Sequence, residues 1–160
     1  MAVDIFLKLT GITGESKDHK HKDEIQIDSF TFGMAQMGSG GFGGGSGAGK
    51  VQVQDINITK LVDKASCALM YHCCSGKHIP EGLITVRKAG DKPLEYLKIK
   101  LTDVLVTSVG HSGSGSSDLI MENVTLNFAK FKVEYQEQKS DGSGTPAGDL
   151  GWDLKANAKY

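Results

Sequence analysis

Apolar and polar residues alternate with period two along most of this chain, the pattern of strands with one buried face. Val3, Ile5, Leu7 and Leu9 share one face of a first strand. A second starts on Ile25 and Ile27 and then moves its apolar face to Phe30, Phe32 and Met34. A third does the same, with Val51 and Val53 followed by Ile56 and Ile58. After Pro93, Leu97, Ile99 and Leu101 hand over to Val104 and Val106; in ENVTLNFAKFKVEY, Val124, Leu126 and Phe128 hand over to Phe131, Val133 and Tyr135. Trp152, Leu154, Ala156, Ala158 and Tyr160 alternate with polar residues to the end, which reads as a final strand. Repeated phase changes in long strands imply bulges or bends around a curved sheet. The expected fold is mainly β, a compact β-barrel of long bent antiparallel strands.

One stretch departs from period two. In DKASCALMYHCCSG, Asp63 is suited to cap a helix, Ala65, Leu69 and Cys73 fall on one helical face, and Gly76 is suited to stop it. This predicts a single helix of about three turns flanking the barrel. Gly90-Asp91-Lys92-Pro93 reads as a hairpin turn, and Gly110–Ser117 and Ser140–Gly148 as Gly/Ser-rich loops. No internal repeat or second domain is visible, so residues 1–160 are expected to form one domain.

The 18 Lys+Arg against 19 Asp+Glu leave a net charge of −1, which offers no basic footprint for nucleic acid or an anionic membrane. No apolar run reaches the ~20 residues of a spanning helix. MAVDIFLKLTG has neither the basic start nor the long apolar stretch of a cleavable leader, so the expectation is a chain folded in the cytoplasm, any export using a route without such a leader. Cys67, Cys73 and Cys74 are an odd, local cluster, which argues against a disulfide framework. With His72 and His78 nearby they suggest a metal, but a structural zinc site draws ligands from two separated segments, so small buried helix residues are expected instead. His19 and His21 in SKDHKHKDE sit among mixed charges and read as a solvated loop.

Gly38–Lys50, GSGGFGGGSGAGK, ends one residue short of a phosphate-binding loop. Such a loop needs a Ser/Thr after the lysine to hold magnesium and a following helix whose N-terminus faces the phosphate. Val51 stands in place of the hydroxyl, and VQVQDINIT alternates as a strand. The G-x-G-x-x-G at Gly38, Gly40 and Gly43 lacks a following helix as well. Neither G-x-S-x-G nor H-E-x-x-H occurs. Asp4, Asp28, Asp55 and Asp103 are scattered over strand positions, and the pattern pairs none of them. Asn57-Ile58-Thr59 and Asn123-Val124-Thr125 match the glycosylation acceptor but fall inside strands and read as chance. The expectation is neither an enzyme nor a cofactor-binding protein.

MAVDIFLKLTGITGESKD, the glycine-rich segment ending GAGKV, VQDINITKLVDKAS, SGKHIP, TVRKAG, PLEYLKIKLTDVLVTSV and ENVTLNFAKFKVEYQ together resemble, in order, the haemolysin-coregulated protein (Hcp) family, whose members form the inner tube of the bacterial type VI secretion system. The resemblance implies a structural tube subunit. Six copies would close head to tail into a ring, and rings would stack into a tube driven out by a contractile sheath and baseplate, with a spike protein at its tip and effector proteins in its lumen. It implies no cofactor, no nucleic acid and no membrane insertion, and export through the system itself. The chain departs from the family where DKASCALMYHCC lacks an early proline and where Phe30 and Phe32 replace tryptophans. Because Phe30 and Phe32 point one way along their strand, Ser29 and Thr31 point the other and are candidates for effector contact on a lumen wall; an ordinary solvated outer face is the other reading. Gly40, Gly41, Phe42 and Gly43 are candidates for subunit or ring contact. The competing class is a stand-alone secreted binding module or enzyme on the same barrel.

Overall fold

A computed structural model describes residues 3–36 and 49–160. Its strands, in chain order, are β1 (Val3–Leu9), β2 (Ile25–Ile27), β3 (Ser29–Thr31), β4 (Met34–Ala35), β5 (Gln52–Val53), β6 (Ile56–Leu61), β7 (Ile79–Lys88), β8 (Leu94–Ser114), β9 (Ser117–Gln138), β10 (Gly144–Asp153) and β11 (Ala158–Lys159), with one helix, α1 (Ser66–Ser75), between β6 and β7. The hydrogen-bonded order is β11-β10-β9-β8-β7-β1-β2, all antiparallel; β6 pairs with both β9 and β3. β9 takes β8 along one edge and divides its other edge between β6, at residues 121–126, and β10, at residues 130–138.

The phase changes fall where the alternation places them. Leu101 lies opposite Phe131 and Val104 opposite Phe128, so both strands shift their apolar face at the same point. Asp103, between them, has a left-handed φ of 56°. A further register shift between Val106 and Ser108 leaves Thr107 as an extra residue on β8. The result is a sheet that wraps around a core of Leu7, Leu9, Ile25, Ile27, Ile56, Ile58, Ile84, Ile99, Leu101, Val104, Val124, Leu126, Phe128 and Phe131. The pairing is not one uninterrupted ring. β2 pairs with β1 and β3 with β6, and the ladder breaks between them at Asp28, whose N–H donates to the Thr59 carbonyl. The expected barrel is therefore a wrapped sheet with a seam at Asp28.

Several expectations need correction. Helix α1 starts later than Asp63 suggests: Ala65 is its N-cap and makes no side-chain capping bond. The Asp63 carboxylate is drawn instead to the Lys60 ammonium at 2.9 Å and to the Ala65 N–H. Gly76 does stop the helix, in the left-handed region, with its N–H on the His72 carbonyl. Gly110–Ser114 is strand rather than loop, because β9 supplies its hydrogen bonds up to Ser117. Of Ser140–Gly148, residues 144–148 belong to β10. The C-terminal alternation is a strand only to Asp153; that side chain accepts from the N–H groups of Lys155 and Ala156 and turns the chain back to β11. The hairpin turn at Gly90–Pro93 joins β7 to β8 as expected.

One buried ion pair ties four elements together. Lys60 on β6 (1% exposed) and Glu122 on β9 (0%) meet at 2.7 Å, with His111 of β8 on the other Glu122 oxygen and Ser66 of α1 beside the ammonium. Burial pushes the Glu122 carboxyl up, but the bonds from Lys60, His111 and Ser66 outweigh it and hold the group below its ordinary range. The stability it adds is present above the unfolded glutamate range and lost as pH falls through the lowered folded value. Lys60→Met strands the Glu122 charge and is expected to cost about 3–5 kcal/mol by urea titration. A loss below about 1 kcal/mol, the worth of a solvated pair, would contradict this account of the bridge.

Candidate assembly and lumen surfaces

Ser29 and Thr31 are exposed on β3, with Phe30 between them turned toward the core. They belong to a larger polar face. Ser29 lies opposite Thr59 and Thr31 opposite Asn57 on β6. On β9, Asn57 meets Thr125 and Thr59 meets Asn123, so the two Asn-x-Thr tripeptides pair antiparallel, each Asn facing a Thr. Ser108 of β8 continues the row beyond Thr125. Behind this face stand the buried Ile56, Ile58, Val124 and Leu126. Period two thus puts core on one side and small hydroxyls and amides on the other.

These side chains bond to one another. Thr59 Oγ1 donates to Asn123 Oδ1 at 3.1 Å, and Thr125 Oγ1 lies 2.6 Å from Thr107 Oγ1 and 2.7 Å from Ser108 Oγ. The Asp55 carboxylate accepts from Thr107 Oγ1 at 2.7 Å and Asn127 Nδ2 at 2.9 Å. Short side chains held on a paired sheet lose little freedom on contact and present no long charged arm. The alternation identified Ser29 and Thr31 but stopped short of Asn57, Thr59, Asn123 and Thr125. The same signal marks those four, once β6 and β9 are known to be neighbours.

Gly40, Gly41, Phe42 and Gly43 lie outside the described residues. The ends of that segment, Gln36 and Gly49, border a half-open apolar groove of about 380 Å³ lined also by Met34, Val51, Val53, Phe131, Leu150 and Trp152. Val51 leads into β5, a strand, in place of the helix a phosphate loop requires.

The remaining candidates do not converge. Cys67 and Cys74 are exposed and Cys73 is half-buried, contrary to the expectation of buried residues, because α1 packs on the sheet mainly through Ala65, Ser66 and Leu69. His72 Nδ1 meets the Lys77 carbonyl and His78 Nδ1 the Asp103 carboxylate. Among the described residues no group of three or more His, Cys, Asp or Glu could hold a metal. His19 is exposed as expected, whereas His21 is buried between Glu24 and Glu95, a pairing with no local sequence signal because Glu95 lies 74 positions away.

Residues 6–135 match the family model described as "Type VI secretion system effector, Hcp". The chain belongs to the Hcp family. It is 52% identical to the protein hcp1 of Pseudomonas aeruginosa, covering 99% of each chain. The crystal structure of Hcp1 from Salmonella typhimurium superposes with a TM-score of 0.80 at 38% identity over the whole of both chains. A structure titled as a type six secretion system protein gives 0.90 at 31% identity over 99% of this chain and 100% of that one. Hcp membership makes this a tube protein secreted by the type VI system, and its β-rich fold, with a single helix among the described residues, is the Hcp fold. No helix among the described residues is long and apolar enough to cross a membrane.

The exposed thiols of this Hcp chain give a direct check on the helix placement. Cys67 and Cys74 are expected to react fast with a soluble thiol reagent in the folded protein, and Cys73 more slowly, reaching the common rate only on denaturation. Three equal rates in the native state would place α1 differently.

Proposed function

We propose that six copies of this Hcp chain close head to tail into a ring, and that rings stack into the tube ejected by the type VI system, with the face bearing Ser29 and Thr31 lining the lumen and holding effector proteins. The observation that carries the lumen assignment is the rigid, short, hydroxyl- and amide-rich face of β3, β6, β9 and β8. A wall of this kind suits cargo of varied charge, because it binds through many weak contacts rather than a few strong ones. Full-length similarity to the Pseudomonas aeruginosa protein supports the tube role. A spike protein at the tip, a sheath and baseplate around the tube, and effectors within it are the partners this role requires. Heterologous contacts close when the rotation between subunits fits, so the ring needs no cofactor. Gly40, Gly41, Phe42 and Gly43 are proposed to contribute to contact between subunits or rings, Phe42 being the one large apolar side chain of Gly38–Lys50.

Size-exclusion chromatography with light scattering is expected to give a species six times the 17.1 kDa chain mass, unchanged by chelator or ATP. A monomer at every concentration would contradict the proposal and favour a stand-alone binding module. Thr31→Gln, which pushes a longer side chain out of the polar face, is expected to leave that mass intact and to reduce co-purification of effectors. Unchanged retention would remove Thr31 from the lumen wall.

A further inference from the structure

The connection between β1 and β2 carries a buried histidine that the tube role does not use. His21 is 8% exposed. Its Nδ1 lies 2.8 Å from Glu24 Oε2 and its Nε2 lies 2.6 Å from Glu95 Oε1 on β8. The ring stacks on Phe6 of β1, with centroids 4.3 Å apart and planes 11° from parallel. An ionised carboxylate only accepts hydrogen bonds, so both ring nitrogens can donate together only as the imidazolium. We propose that His21 is a proton-dependent clasp: as an imidazolium bridging Glu24 and Glu95 it fastens the connection of residues 12–24 over Phe6, and loss of its proton, or protonation of Glu95, unfastens that connection.

The charges around the ring favour this state. Glu24 faces it from its own connection, while Asp18 of the same connection is engaged by the Lys20 N–H and by Arg87. From β8 come Glu95 and Lys98, the latter 3.5 Å from the other Glu95 oxygen. From β7, Arg87 sits 5.1 Å from the Phe6 centroid but is engaged by Asp18 at 2.6 Å and by Asp4 of β1 at 3.1 Å. The Arg87 charge is thereby matched, leaving two glutamates for the histidine. Burial raises the Glu95 carboxyl, but the bond and charge of His21, with Lys98, bring it below its ordinary range. Its contribution is therefore present above the unfolded glutamate range and lost as pH falls through the lowered folded value. On the alkaline side, a neutral ring turns a lone pair toward one carboxylate and loses that bond.

The clasp has a backbone to hold. Gly14 donates to the Asp23 carbonyl at 2.7 Å and Ser16 to Glu24 at 3.0 Å, while Asp23 donates back to Ser16 at 2.9 Å. Gly14 approaches Glu24 so closely that no Cβ fits. At the far end of the connection, Glu15 Oε1 accepts from the Lys64 N–H at the entry to α1.

Amide hydrogen exchange, corrected for the intrinsic rate at each pH, tests this on the whole protein. Protection at Gly14, Ser16, Asp23 and Glu24, measured relative to core amides of β8 and β9, is expected to peak near neutrality. It should fall about tenfold or more toward both acid and alkali, the scale of a charged hydrogen bond. His21→Gln, similar in reach but uncharged, should give low and flat protection, Glu95→Gln should weaken the acid limb, and exposed His19→Gln should behave as wild type. Ring ¹⁵N spectra of the wild-type protein at pH 7 should show both His21 nitrogens protonated, a readout that does not depend on any variant folding. A flat wild-type profile, a wild-type profile in His21→Gln, or a neutral-tautomer spectrum would each overturn the proposal.

Discussion

The pairing of β8 with β9 sets the rest of the molecule. Each strand changes the face it buries, and the two changes coincide, Leu101 opposite Phe131 and then Val104 opposite Phe128. A slip of one residue would turn every apolar side chain of either strand to the wrong face, so the register is fixed along the whole ladder. β9 also hands its second edge from β6 to β10 between residues 126 and 130, next to this bend. The core that β6 and β10 enclose and the polar face that β6 presents therefore depend on one alignment. Lys60 and Glu122 reinforce it, since the pair is satisfied only when β6, β9 and the entry to α1 are in place.

Much of this was legible in the chain because period-two burial is a local signal. The handover points, the turn at Gly90–Pro93 and the helix stop at Gly76 follow from residue type and spacing. What was not legible depends on distant partners. Asp63 looks like a cap until Lys60, buried by Glu122, claims its carboxylate. Gly110–Ser114 has the composition of a loop and becomes strand because β9 offers it a ladder. The terminal alternation from Trp152 is interrupted by the Asp153 side chain, which bonds two backbone N–H groups and reverses the chain. Phe6 and His21 were hidden for a related reason. The β1–β2 connection folds over the face of β1 that alternation assigns to solvent, and Phe6 is 1% exposed beneath it.

The candidate lumen face shows the same division. Ser29 and Thr31 could be named from one strand, whereas the matching of Asn57-Ile58-Thr59 with Asn123-Val124-Thr125 required the pairing of β6 with β9. These tripeptides, which as single motifs suggested glycosylation, become two adjacent rows of one hydrogen-bonded surface. Family membership rests on wording spread over the whole chain, and for that reason it survives where each short motif fails. The glycine-rich segment makes the point in reverse: its near match to a phosphate loop carried no structural context, and a strand follows it.

The central claim is that the face of β3, β6, β9 and β8 bearing Ser29, Thr31, Asn57 and Thr125 surrounds a central channel. Electron cryomicroscopy of the purified assembly, at a resolution that separates strands, tests it most directly. The account predicts a ring whose hole is walled by these strands, with α1 elsewhere. A ring lined by α1, or one in which Ser29 and Thr31 face the outside, would contradict it.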